Sequence, residues 1–201
     1  MSRTNLQRGR VNQKFRTRKA LLEAANRLVN QGQQPSLEEI AEEAMVSRAT
    51  AYRYFPSMER LLIEAHLHRE TLFPQDLLSG RDQATPSERA ALVHDHMHDL
   101  VANNEASFRT LLRACMDDWI SSKGRIDEYL RGGRRLPMID EAIKDLKPVL
   151  TRAKYRRLRL ALAAMVGIEP FVVLRDVCGL KSEEAKKVLN WAVRTLVDAV
   201  E

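Results

Sequence analysis

From Phe15 to Asn30 the apolar residues recur at helical spacing. Leu21, Leu22, Ala25, Leu28 and Val29 fall on one inward side, and Gly32 follows as a stop. A second stripe, Leu37, Ile40, Ala41 and Ala44, starts just after Pro35, where Ser36-Leu-Glu-Glu39 has the form of a capping box. Met45 and Val46 lead to a third and shorter pattern. There Ser47 serves as N-cap, Ala51 and Phe55 lie four apart on the inward side, and Pro56 ends the helix. Ser57 opens a fourth helix through Leu61, Leu62 and Ala65 toward Leu72.

The remainder is predicted to be helical as well. Pro74 to Gln83 reads as a loop, and Thr85-Pro86-Ser87-Glu88 combines N-cap, N1 proline and N3 glutamate for a helix ending near Asn103. Further helices are expected at Glu105 to Ser121 and at Leu136 to Leu146. Gly124 and Gly132-Gly133 mark a hinged, basic segment between them. The stretch Thr151 to Val177 becomes apolar on every side between Leu160 and Ile168, so all its sides need cover. A last helix, capped by Ser182, repeats Ala185, Val188, Leu189, Ala192, Val193, Leu196, Val197 and Val200, a stripe wider than one neighbour requires. These last two segments read as a four-helix bundle formed with a second copy, or as an ordinary intramolecular core.

With its core positions assigned, the third helix turns Arg48, Thr50, Tyr52, Arg53 and Tyr54 outward. Helix, tight turn and a second helix bearing outward cations and hydrogen-bonders form the helix-turn-helix plan, which suits phosphates and major-groove base edges. From Thr17 to about Ala65 the chain resembles the tetracycline-repressor (TetR) family of one-component regulators. The resemblance is carried by Ser36-Leu-Glu-Glu-Ile-Ala, Val46-Ser47, Thr50, Tyr52, Tyr54-Phe55 and Leu61-Leu62. It implies an all-α protein with a DNA-binding domain at residues 1–56 and a helical effector-binding and dimerisation domain at 57–201. It also implies a homodimer on a palindromic operator, acting as a repressor and released by a small, partly apolar molecule. Within that frame Arg48 and Arg53 address base edges or adjacent phosphates, while Thr50, Tyr52 and Tyr54 bond phosphates. Arg16, Thr17 and Arg18 grip the backbone from the first helix, and Ser36, Ser47 and Ala49 complete the contact set. Two positions depart from the family pattern: Met45 stands where a glycine usually turns the chain, and Met58 where a lysine usually meets a phosphate.

The formal charge is +6, and its placement matters more than its size. Residues 1–19 hold Arg3, Arg8, Arg10, Lys14, Arg16, Arg18 and Lys19 with no acid, which leaves the rest of the chain close to neutral. Residues 1–13 are therefore expected to be a disordered basic arm, either touching phosphate or minor groove beside the reader or merely solvated. Cys115 and Cys178 read as reduced core residues, and a polar, basic start without an apolar segment reads as cytoplasmic.

No catalytic constellation is present: there is no glycine-rich phosphate loop, nucleophile elbow or cysteine pair spaced for zinc, and no cofactor is expected. His94 and His98 share a helix face and form half of a metal site, or else a solvated helix face. An effector cavity is expected from Phe108, Leu112, Cys115, Met116, Trp119, Met138, Tyr155, Leu162, Met165 and Glu169, with Trp119, Tyr155 and Glu169 as its polar tips. A reading of another class has a helical interaction protein or enzyme with a pocket in residues 85–180, whose basic end only docks on polyanion.

Overall fold

Every regular element in the computed structural model is a helix; it describes residues 3–70, 74–121 and 135–200, apart from the side chains of 3–12, 14, 15, 69 and 70. In chain order the helices are α1 (Arg3–Asn30), α2 (Leu37–Glu43), α3 (Arg48–Tyr54), α4 (Met58–Glu70), α5 (Pro74–Leu77), α6 (Pro86–Asn103) and α7 (Glu105–Ser121). They continue with α8 (Arg135–Ala142), a 3₁₀ turn (Lys144–Leu146), α9 (Arg152–Met165), α10 (Ile168–Val172), a π turn (Val173–Val177) and α11 (Ser182–Asp198). The chain divides into two units. The first holds residues 1–70 and 113–132, the second 71–112 and 133–201, so α7 changes unit between Leu112 and Arg113. The expected boundary at residue 56 falls inside the first unit, where α4 packs along α1. The glycines at 124, 132 and 133 and the tip of the fourth helix at Leu72 lie outside the described residues.

In the first unit α1 starts at Arg3, where a disordered arm was expected. Its sequence there is mostly Arg, Gln, Asn and Lys, with one glycine and no proline, so little opposes extension of the helix from its anchored half. The anchored half buries Leu21, Leu22, Ala24 and Ala25 against Leu37, Ile40, Ala41, Ala51, Phe55, Leu61 and Ala65. Val29, expected inward, is largely exposed, because α1 ends one residue later. The amide of Gln33 bonds the Leu28 carbonyl and that of Gly32 the Val29 carbonyl, with Gly32 at φ 78°; this is a Schellman stop. Asn26 Nδ2 reaches the Ala65 carbonyl at 2.8 Å and ties α1 to α4.

The second unit is built on α6, which packs chiefly against α11 and also against α8. Thr85 and Glu88 form the expected capping box at its start. Buried Arg89 donates to the Ala142 carbonyl at 2.9 Å and the Ala84 carbonyl at 2.7 Å, and pairs with Asp145, so its charge is fully matched. The expected loop at 74–83 contains the short α5. On α11, Ala185, Leu189, Val193 and Val197 are buried at steps of four, whereas Val188 is exposed. Ser182 is the first helical residue and Lys181 occupies the cap position; the Ser182 hydroxyl and carbonyl are instead 3.1 and 3.0 Å from His98 Nε2. Of the two free cysteines, Cys115 is buried but Cys178 is exposed at the end of the π turn.

The long segment 151–177 does not form one helix. Val166 is extended and Gly167 has φ 108°, ψ −159°, a region open essentially to glycine. Arg135 lies against this break, donating to the Ala163 carbonyl at 3.0 Å and to Glu169 at 2.7 Å, and a Cβ built on Gly167 would stand 2.3 Å from its Nη2. Gly167→Ala should therefore destabilise the protein by about 1–3 kcal/mol. In a thermal melt, each kcal/mol should lower Tm by about 2–4 °C.

His94 and His98 are buried rather than solvated, at 1% and 3% exposure, with ring centroids 5.6 Å apart. His98 packs on Phe171, and His94 Nδ1 lies 3.1 Å from Asp95 while its Nε2 has neither solvent nor a partner. No group of three metal-binding side chains occurs among the described residues. Burial pushes both imidazole pKa values down, against opposing contributions from Asp95 at His94 and from Ser182 and Asp99 at His98. The unfolded chain then takes up protons that the folded one refuses. Stability from these sites is complete above about pH 6.5 and is lost as pH falls below it. Tm should drop between pH 7.5 and 5.5, and His94→Leu should flatten that drop; an unchanged slope would remove His94 as a cause.

Candidate nucleic-acid interface

The reader begins with two caps. The Ser36 amide donates to Glu39 Oε2 at 2.6 Å, and the Glu39 amide donates to Ser36 Oγ at 3.2 Å, which closes the capping box of α2. Ser47 Oγ accepts from the Thr50 amide at 3.2 Å and lies 2.9 Å from Thr50 Oγ1, which starts α3. Between them the Met45 amide bonds the Glu42 carbonyl and the Val46 amide the Ala41 carbonyl, both at 2.9 Å. This tight turn puts Met45 at φ 55° with its side chain 93% exposed. Met45 adopts the left-handed conformation that a glycine would supply, at a cost of about 1–2 kcal/mol. The turn is thus closed with a methionine in the left-handed position.

The side of α3 that faces out is set by what faces in. Ala51 and Phe55 have no exposed surface, and they fix the rotation of the helix about its axis. Ser47, Arg48, Ala49, Tyr52 and Arg53 are consequently exposed, and Thr50 and Tyr54 are partly so. Gln13 and Thr17 of α1 join Val46, Ser47, Thr50, Arg53 and Tyr54 around one open recess, so the flank of α1 and the face of α3 form a continuous surface. Thr17 Oγ1 donates to the Gln13 carbonyl at 3.1 Å, and Arg16 is exposed on the same helix. Arg53 sits over the Tyr54 ring, 5.6 Å from its centroid, which restricts where its charge points.

Two of the expected phosphate contacts are otherwise engaged. Tyr52 donates its hydroxyl to Glu38 Oε1 at 2.8 Å and so braces α3 against α2. That hydrogen bond is the main reason the Glu38 carboxyl is held below its usual range and the Tyr52 phenol above it. Arg18 turns inward: it pairs with Glu64, donates to the Tyr54 carbonyl at 3.4 Å and stacks 4.5 Å above the centre of Phe55. Its guanidinium is spent on holding the end of α3, because the i+1 step from Thr17 rotates it by about 100° toward the core. Met58, where a lysine is usual, packs against the apolar core. Gln13, Glu38 and Glu64 are the participants that sequence reading missed. Glu38 and Glu64 act across loops or between helices, and no local spacing marks them.

The expected effector-pocket residues do not fall in one cluster. Leu112 packs beside Val101, Ile168 and Phe171, Met138 and Leu162 are interior to the main core of the second unit with Tyr155 and Met165 at its edge, and Phe108 packs against both clusters. Glu169 pairs with Arg135. Cys115, Met116 and Trp119 belong to the first unit, where Met116 and Trp119 are more than half exposed.

No curated protein matches the chain. Residues 21–65, which cover the second half of α1, the α2–turn–α3 reader and the start of α4, match the family described as bacterial regulatory proteins, tetR family. With Arg48, Arg53 and Thr50 presented by a capped helix whose far side is buried, residues 21–65 of this chain are a DNA-binding helix-turn-helix segment of the tetR-family type.

Proposed function

We propose that the protein is a repressor rather than an enzyme, binding a near-palindromic operator as a homodimer in the cytoplasm and leaving it when a small, partly apolar molecule binds the second unit. The observation that carries this reading is the outward set on α3, with Arg48, Thr50 and Arg53 turned away from a side closed by Ala51 and Phe55. Each protomer places α3 in one major-groove half-site, and the two sites lie about 34–36 Å apart along the duplex. Arg48 reads a base edge. Thr50, Arg53 and Tyr54 contact phosphates that fix register, as do Arg16 and Thr17 from α1. The basic start of α1 adds phosphate contacts whose strength depends on counterion release.

Support for pairing comes from the outer faces of the last helices. Leu160 on α9 and Val188 and Trp191 on α11 remain 44%, 41% and 67% exposed, on sides turned away from their own core. A second copy seated there removes apolar surface worth about 25 cal/mol per Å². No helix among the described residues is long and apolar enough to cross a membrane, which accords with a cytoplasmic regulator. For the effector to move the population from 1:99 to 99:1, it must favour the released state by about 5.5 kcal/mol.

A gel shift on the region upstream of the gene should show one discrete complex with dimer stoichiometry; diffuse binding without preference, or a monomer by light scattering, would overturn the reading. Arg48→Ala should weaken that complex by about 1–3 kcal/mol and relax preference at one operator position. An unaltered preference would move Arg48 to the phosphates. Binding should also fall with salt, log K dropping by about 0.9 per phosphate neutralised for each unit of log salt, and a flat salt response would remove the electrostatic part.

A further inference from the structure

Behind the exposed face of α3 runs a file of alternating charges that belongs to none of the contacts described for DNA. The Tyr54 carbonyl, at the last residue of α3, accepts from Arg18 of α1 at 3.4 Å, and the ring of the next residue, Phe55, lies under the same guanidinium. Arg18 pairs with one oxygen of Glu64 on α4, and the other oxygen accepts from Arg60 Nε at 3.4 Å. Arg60 in turn pairs with Asp118 on α7 and points a second nitrogen at Cys115 Sγ, 3.7 Å away. The side chains of Arg18, Glu64 and Arg60 retain 12%, 11% and 8% of their exposure, and Asp118 retains 38%. All four residues lie in the same unit.

We propose that Arg18, Glu64, Arg60 and Asp118 are positioning residues for DNA recognition, a relay that sets the carboxyl end of α3 from the second half of α7. The physical ground is alternation under burial. Each inner charge is balanced by the neighbours before and after it, and stripping one partner from a desolvated ion leaves the next uncompensated. A displacement of Asp118 is therefore answered at Arg60, then at Glu64, then at Arg18, and the last of these holds both the Tyr54 carbonyl and the Phe55 ring. Burial disfavours the Arg60 charge, but the Asp118 hydrogen bond, with Glu64 and the Cys115 thiol, more than offsets this and holds its pKa above the usual value. None of the four needs to touch DNA, and Arg18, turned inward from α1, acts on the duplex only through α3.

The proposal rests on the DNA-binding reading and is tested apart from it. A duplex is first selected by the full-length wild-type protein from a random-sequence pool, and failure to select any sequence would overturn the DNA-binding reading itself. Asp118→Asn, Arg18→Lys and the double variant are then titrated on the selected duplex and on an unselected duplex of equal length, with Tm measured alongside. The relay predicts that Asp118→Asn weakens the selected complex by about two- to thirtyfold while leaving the unselected one nearly unchanged. The double variant should lose much less than the product of the two single losses. Multiplying losses, or equal losses on both duplexes, would show independent structural roles and overturn the relay. If Asp118→Asn does not fold, Asp118→Glu, which keeps the charge one methylene farther out, is scored by the same two criteria.

Discussion

The burial of Ala51 and Phe55 governs the DNA-binding unit. Seven residues make two turns, too few to hold a rotation about the helix axis unless one side is pinned. Phe55 lies just past the last helical turn and Ala51 one turn earlier, and both are fully enclosed by α1, α2 and α4. Once they are fixed, the directions of Arg48, Thr50 and Arg53 follow from helix geometry alone. The tight turn at Met45 is the accompanying constraint, since a looser connection would let α3 swing relative to α2. The chain tolerates a strained backbone there, with the Met45 side chain carried into solvent, and keeps the turn closed by two backbone hydrogen bonds.

Around that apolar pin the polar residues divide their tasks. Some face out and are left uncommitted, while others are used to stiffen the frame. Tyr52 joins α3 to α2 through Glu38, and Arg18 joins it to α4 through Glu64. A residue that contributes to pre-organisation gives up its own chance to touch the duplex, but it lowers the ordering cost that the neighbouring contacts must meet on binding. Tyr52 and Arg18 therefore shape the surface that α3 presents.

The second unit handles buried polarity in two ways. Arg89 is enclosed and completely matched, with two carbonyls and a carboxylate around it. His94 is enclosed and incompletely matched, with one ring nitrogen left without a partner. The first arrangement ties α6 to the end of α8 and the turn that follows it. The second places a proton-sensitive pair where α6 meets α10 and α11, beside Asp99–Lys186 and Asp95–Asn190 contacts of 2.7 and 2.8 Å. The break at Gly167 shows a related compromise, in which Arg135 supplies the hydrogen bond and the charge that an interrupted helix leaves open.

The sequence by itself determined the all-helical class, the caps at Ser36, Ser47 and Thr85, and the inward pair Ala51 and Phe55, because each depends on residues within four positions of one another. It likewise marked the segment whose resemblance led to the family. The tertiary structure decided the rest. That Arg18 and Tyr52 are braces depends on Glu64 and Glu38, which lie 46 and 14 positions away in the chain. That His94 and His98 are interior depends on α10 and α11 closing over them, which i,i+4 spacing on α6 does not foretell. Local periodicity fixes which residues share a side of a helix; which neighbour meets that side is settled only by long-range packing, where burial and charge matching act between distant parts of the chain.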